Sequence, residues 1–155
     1  MPVFDFFHWT QETGPTLQES GPLIPVSIGL PPALEEFFAQ SGIDIPAPIS
    51  GYALIDTGAS ASAVHEEVVL ELGILPIDSI PTHTPHGPGR SFVYPCKASF
   101  PALGVVDYRM DRVIGSDLKW TTPDGKEIIM LMGRDILQFF LLVYNGKRSD
   151  ITLAF

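Results

Sequence analysis

Two short stretches of the 155-residue sequence hold residues whose types and spacing could do chemistry. In the first, Ala53-Leu54-Ile55-Asp56-Thr57-Gly58-Ala59-Ser60, an apolar run ends in a lone carboxylate. A strand that carries a carboxylate toward the interior incurs a large cost unless the group is hydrogen-bonded or used. The second stretch, Ile128-Ile129-Met130-Leu131-Met132-Gly133-Arg134-Asp135-Ile136-Leu137, breaks its apolar run at Gly-Arg-Asp and then resumes with helical spacing. Asp-Thr-Gly alone is weak evidence, because Asp and Gly are ordinary turn residues. At average residue usage it occurs by chance in roughly one chain in thirty of this length. The apolar approach and the following Ala59-Ser60 lower that to roughly one in several thousand.

Other reactive residues have plainer explanations. His83 and His86 suggest metal ligands, but Pro85, Gly87, Pro88 and Gly89 prevent a preformed helical pair. Structural zinc sites want four ligands, and a single cysteine is a poor start, so no metal is expected. Gly87-Pro88-Gly89 lacks the Lys-Ser/Thr and the helix of a phosphate loop. Cys96 fits buried packing better than nucleophilic attack. Arg134 and Asp135 are expected to be structural, Asp135 at a helix N-terminus. The aromatic residues Phe4, Phe6, Phe7 and Trp9 fit an arm packed on the body.

The elements that must position these residues are short. Leu23–Ile28 alternates loosely up to Gly29 and contains Pro25, which suggests a strand with an edge proline. Pro31-Pro32 introduce a short helix over Ala33–Gln40, with Gly42 just past its end. Ile43–Ser50 is expected to be a loop. Tyr52–Ile55 is predicted as the strand that presents Asp56, and Val64–Leu72 as a helix closed by Gly73. Further strands are expected at Ile74–Ile80, Phe92–Phe100, Val105–Val113 and Glu127–Met132, with a loop or hairpin tip over Thr82–Ser91. A second short helix opens at Gly133-Arg134-Asp135. Leu141–Tyr144 and Ile151–Phe155 form a C-terminal hairpin around Asn145-Gly146. Many short strands with two or three short helices make the fold class mostly β, a closed barrel.

Composition excludes several classes. Hydrophobic residues at 45% and charged residues at 17% rule out a disordered chain. Fifteen prolines and fourteen glycines suit a turn-rich β fold better than a helical bundle. A net charge of −9 without basic clusters argues against nucleic acid as a partner. The apolar runs are too short to span a bilayer, and the first residues lack the pattern of a secretory signal. With one cysteine, the expectation is a soluble chain in a reducing, cytoplasmic setting. Length implies one domain. Residues 1–20 are taken as an N-terminal arm and 21–155 as the domain.

The two motifs, in this order, resemble those of the retropepsin-like aspartic proteases, the retroviral-type family with cellular and bacterial relatives. Gly21–Gly29 also looks like the strand that precedes the active-site loop in that family. The resemblance covers about residues 21–155 and implies an acid-protease barrel without cofactor. It implies an endopeptidase acting on extended peptide or protein segments, with Asp56 catalytic and Thr57, Gly58, Ala59 and Ser60 supporting it. Because the chain holds one Asp-Thr-Gly, the carboxylate pair would require a homodimer. Thr57 would then bond across the two-fold axis. The family's flap would fall at about 80–95, with His83, His86, Gly87 and Gly89 as substrate-binding candidates. Gly133, Arg134 and Asp135 would be structural, and the C-terminal hairpin, whose last strand is otherwise an exposed edge, would form the interface. Two features depart from viral members: an insertion at about 30–50, and Ser60-Ala61 where carboxylates often grip the substrate. The insertion and a proline-rich flap favour an alternative, the same barrel as a peptide-binding or assembly module with little or no hydrolysis, and the intact catalytic motif weighs against it.

Overall fold

A computed structural model describes residues 8–11, 16–84, 87–118 and 120–155. Phe4, Phe6, Phe7 and His86 lie outside the described residues. Eight strands form the main sheet, and six of them close into a barrel. The barrel strands are β2 (Leu23–Gly29), β3 (Ile49–Ile55), β4 (Ala63–His65), β6 (Gly87–Phe100), β7 (Val105–Ser116) and β9 (Glu127–Met132). They run in the order β2-β3-β9-β4-β7-β6, and β6 returns to β2 through Ser27↔Ser99 and Ile28↔Ala98. β5 (Asp78–Thr84) extends from β6, and β8 (Trp120–Thr121) pairs with β9. The mostly β, closed-barrel expectation therefore holds.

Alternation along each strand decides which side chains fill the barrel. Ile24, Val26 and Ile28 of β2 are buried, as are Ala53 and Ile55 of β3. Tyr94, Cys96, Ala98 and Phe100 of β6, with Met130 and Met132 of β9, complete the same core. β9 reads as a nearly continuous apolar run because it lies centrally, between β3 and β4. Prolines sit where the ladder lets them. At Pro25, β2 pairs only with β3, since its contact with β6 begins at Ser27. Pro81 lies on β5, which among the described residues pairs with β6 alone. Pro95 coincides with a register shift between Tyr94 and Cys96.

Several element boundaries differ from the sequence expectation. The helix placed at Val64–Leu72 is α3, Glu66–Glu71, because 63–65 is claimed by pairing with β7 and β9. The strand placed at Ile74–Ile80 is instead β5, Asp78–Thr84, set by its register with β6. Thr82–Ser91, expected as a loop or tip, is mostly paired strand among the described residues. The 43–50 loop ends early, as β3 begins at Ile49. Helices exceed the two or three expected: α1 (Leu17–Ser20), α2 (Pro32–Gln40), α3 and α4 (Arg134–Leu137), with a 3-10 turn at Pro101–Leu103.

The insertion at about 30–50 consists of α2 and the segment leading into β3. No α2 residue is fully buried, so packing of Leu34 and Phe38 on the core is supplemented by a charge tether. Lys97 Nζ on β6 reaches Glu35 at 2.6 Å and Asp107 at 3.3 Å. A second, three-stranded sheet gathers both ends of the chain. β11 (Asp150–Ala154) lies between β10 (Leu141–Asn145) and β1 (His8–Gln11). The last strand is thus no exposed edge, contrary to expectation, because the N-terminal arm pairs with it. Leu17, fully buried, donates its N–H to Ser149 Oγ at 3.1 Å and ties the arm in further.

Candidate active site

β3 and β9 run parallel, with Ile55 opposite Met132. Parallel neighbours deliver the residues after them to the same end of the sheet. That is why Asp56-Thr57-Gly58 and Gly133-Arg134-Asp135, far apart in sequence, meet in space. The first link is Asp56 N–H to Met132 O at 2.9 Å, continuing the ladder one step past β3.

The loop then turns on its own carboxylate. Asp56 Oδ1 accepts the N–H of Gly58 at 2.9 Å and of Ala59 at 3.2 Å. Among the described residues nothing donates to Oδ2. Asp56 and Ala59 are half-buried, whereas Thr57, Gly58, Ser60 and Ala61 are exposed. A Cβ on Gly58 would stand 3.1 Å from Asp56 Oδ1, closer than side chains usually approach. Glycine therefore lets the amide reach the carboxylate.

The Gly133-Arg134-Asp135 segment grips this loop along its length. Arg134 N–H donates to Ala59 O at 2.9 Å, and Arg134 Nη1 to Thr57 O at 2.7 Å. Asp135 takes two bonds from Ser62: its N–H to Oδ2 at 3.0 Å and its hydroxyl to Oδ1 at 2.7 Å. Gly133 approaches so closely that a Cβ there would meet Ala61 C at 2.6 Å and Ser62 N at 2.9 Å. Asp135 also accepts the N–H of Ile136 at the start of α4, where a carboxylate suits the helix end. Tyr108 is raised above its ordinary value by burial and then by the charge of Asp135.

Ser62 and the carbonyl of Met132 were not singled out from sequence. Ser62 sits in a run of small residues, and its partner Asp135 is remote, so no local signal marks it. The other expected residues lie elsewhere. His83 is exposed on β5 opposite Pro88, and Gly87 and Gly89 lie on β6 opposite Thr84 and Thr82. No hydrogen bond joins this hairpin to the Asp56 loop among the described residues. The hairpin is braced at its base, where Arg90 donates to Ser79 O at 2.7 Å and Arg112 Nη2 to Asp78 Oδ2 at 2.6 Å. The Arg112 guanidinium, with the N–H of Ser79, holds Asp78 below the usual carboxylate range.

Cys96 is buried in the barrel, and burial pushes its thiol up to about 12, as suits a packing residue. Among the described residues no group of three His, Cys, Asp or Glu side chains gathers as a metal-ligand set. Among them also, no helix is long and apolar enough to cross a membrane.

No family model and no curated protein matches the chain. Among solved structures, the chain is similar to the solution structure of the simian foamy virus (mac) protease. The TM-score is 0.41 and the identity 16%, over 74% of this chain and 92% of that one.

Proposed function

We propose that the chain is one half of a homodimeric aspartic endopeptidase. The observation that carries this reading is the Asp56 carboxylate itself. One oxygen is held by the amides of Gly58 and Ala59 while the other receives no donor among the described residues, in an exposed loop clamped from behind. Such a group is oriented but unspent, as a carboxylate awaiting a water molecule and a second carboxylate must be.

Asp56 from each of two copies would supply the pair. Like charges that close cannot both ionise, so the two share one proton. The ionised member takes a proton from water, while the protonated one polarises the scissile carbonyl. Both titrations belong to the pair. Thr57, exposed at the loop tip, would bond across the axis and hold the copies in register. The β5–β6 hairpin would act as the flap over an extended peptide, with His83, Gly87 and Gly89 as its candidate contact residues. The outward face of the C-terminal sheet, where Leu141 and Val143 are exposed, would supply apolar contact between copies.

Cleavage of a degenerate peptide library from pH 3 to 7, by wild type beside Asp56→Asn, tests this. Cleavage lost in the variant, with its dimer intact, supports the protease. Silence of the wild type at every pH, with retained peptide binding, would instead support a peptide-binding module.

A further inference from the structure

Beside the Arg134 Nη1 bond to Thr57 O, the Asp56 loop is held at three further points, and the last is a side chain of the loop itself. Asp56 N–H is fixed by Met132 O, and Ala59 O by Arg134 N–H. At the far end Ser62, 2% exposed, is fixed through its hydroxyl. That hydroxyl donates to Asp135 Oδ1 at 2.7 Å and accepts the N–H of Gly133 at 2.9 Å. A hydroxyl has one proton to give, so its orientation is determined by Asp135. Asp135 in turn is fixed by the N–H groups of Ser62 and Ile136. Ser62 and Gly133 are buried and Asp135 lies at the exposed end, so these directed bonds set a defined arrangement, which apolar contact between small residues would not.

We propose that Ser62 is a positioning residue for the Asp56 carboxyl, acting through Asp135 and Gly133 without touching substrate. Loss of its hydroxyl leaves Gly133 N–H without its acceptor and Asp135 Oδ1 with one donor fewer. At that end the stretch from Ala59 to Ser62 then keeps the Ser62 N–H bond to Asp135 Oδ2 but loses both bonds of the hydroxyl. Ala59 moves with it, and Ala59 N–H is one of the two donors that orient Asp56 Oδ1. A displacement of about 1 Å in a catalytic group can cost on the order of a hundredfold in rate. The kinetic part of this inference rests on the protease reading; the orientation of the carboxyl does not.

The test uses the full chain with Ser62→Ala, Ser62→Thr and Asp135→Asn. The first readout is the ¹³C resonance of the Asp56 carboxyl followed from pH 3 to 7, assigned by its disappearance in Asp56→Asn. Ser62→Ala is expected to move the resonance and its titration curve, and Ser62→Thr to restore most of the wild-type curve. Asp135→Asn keeps an acceptor for the Ser62 hydroxyl but turns an NH₂ group toward Ser62 N–H. It should displace the Asp56 resonance likewise, which covers the case where Ser62→Ala does not fold. The second readout is peptide cleavage, where Ser62→Ala should lower kcat about ten- to a hundredfold and leave KM within about threefold. An unmoved Asp56 resonance in a folded variant would overturn the proposal. So would an unchanged kcat, or a Ser62→Thr variant as impaired as Ser62→Ala. If the wild type cuts no peptide, the protease reading fails, while the resonance still decides the role of Ser62.

Discussion

Arg134 Nη1 donates to the main-chain oxygen of Thr57 at 2.7 Å, while the amide of the same arginine holds Ala59 O. Arg134, the second residue after β9, thereby brackets Gly58, whose N–H orients the Asp56 carboxylate. Replacing Arg134 by Met removes the side-chain bond and keeps the amide bond. A hydrogen bond from a charged group contributes about 1.5–3 kcal/mol when shielded, and less at an exposed position such as this. Expected is a modest loss of stability with a clear loss of peptide cleavage, roughly tenfold or more. Lysine should rescue it only in part, since its ammonium can donate one bond to a carbonyl but is more strongly hydrated and less preorganised than a guanidinium. Steady-state kinetics beside urea unfolding checks this, and a fully active Lys variant would count against it.

Gly133→Ala probes the closest approach between the two segments. The added methyl would stand 2.6 Å from Ala61 C and 2.7 Å from Ala61 O, both main-chain atoms with little room to retreat. Overpacking of this sort costs about 1–3 kcal/mol. The urea midpoint should fall accordingly, and an unaltered midpoint would show that the loop can shift freely.

The base of the β5–β6 hairpin predicts a pH dependence. The Arg112 hydrogen bond first, and the Ser79 N–H second, lower Asp78 from the ordinary value of 3.8. A carboxylate depressed in the folded state contributes stability above its unfolded value, and that contribution is lost as pH falls through the folded one. Asp78→Asn should therefore loosen the hairpin near neutral pH and make progressively less difference below the ordinary carboxylate range. Amide exchange of β5 in both proteins, from pH 7 downward, reads this directly after correction for intrinsic rates. A difference that grew toward acid would contradict it.

Lys97 predicts the reverse sense. Burial disfavours its charge, but bonds to Glu35 and Asp107 outweigh this and raise its value above the ordinary 10.5. Its contribution is complete at neutral pH and fades only as pH rises through the raised value. Lys97→Met should release α2, seen as faster amide exchange over Pro32–Gln40 with the barrel still protected. Equal protection of α2 in both proteins would assign its docking to Leu34 and Phe38 alone.

What was legible in sequence is local. The strand before Asp56, the break at Gly133 and the C-terminal hairpin each carry their signal within a few residues. Loose alternation placed most of β2, and apolar runs ended by turn residues placed most of β3 and β9. The expectation failed where pairing with a remote strand decides. Ala63–His65 continues into α3 without a break in composition, and only β7 and β9 make it a strand. The β5–β6 arm holds Pro81, Gly87, Pro88 and Gly89, residues that read as a loop, yet an edge ladder accommodates them. Likewise the exposed last strand was an inference from its apolar sequence; β1, remote in the chain, covers it. Within the site, Asp56 announced itself through its motif, whereas Ser62 became visible only when Asp135 was brought beside it.

The most direct test of a site shared between two copies is a mixing titration of wild type with Asp56→Asn. Total chain is held constant, well above the dimer dissociation constant, and peptide cleavage is measured after exchange of subunits. If each active site needs Asp56 from both copies, the rate falls as the square of the wild-type fraction, to about a quarter at equal proportions. A rate that falls only linearly, to about one half, would mean that each chain works alone and would contradict the shared carboxylate pair.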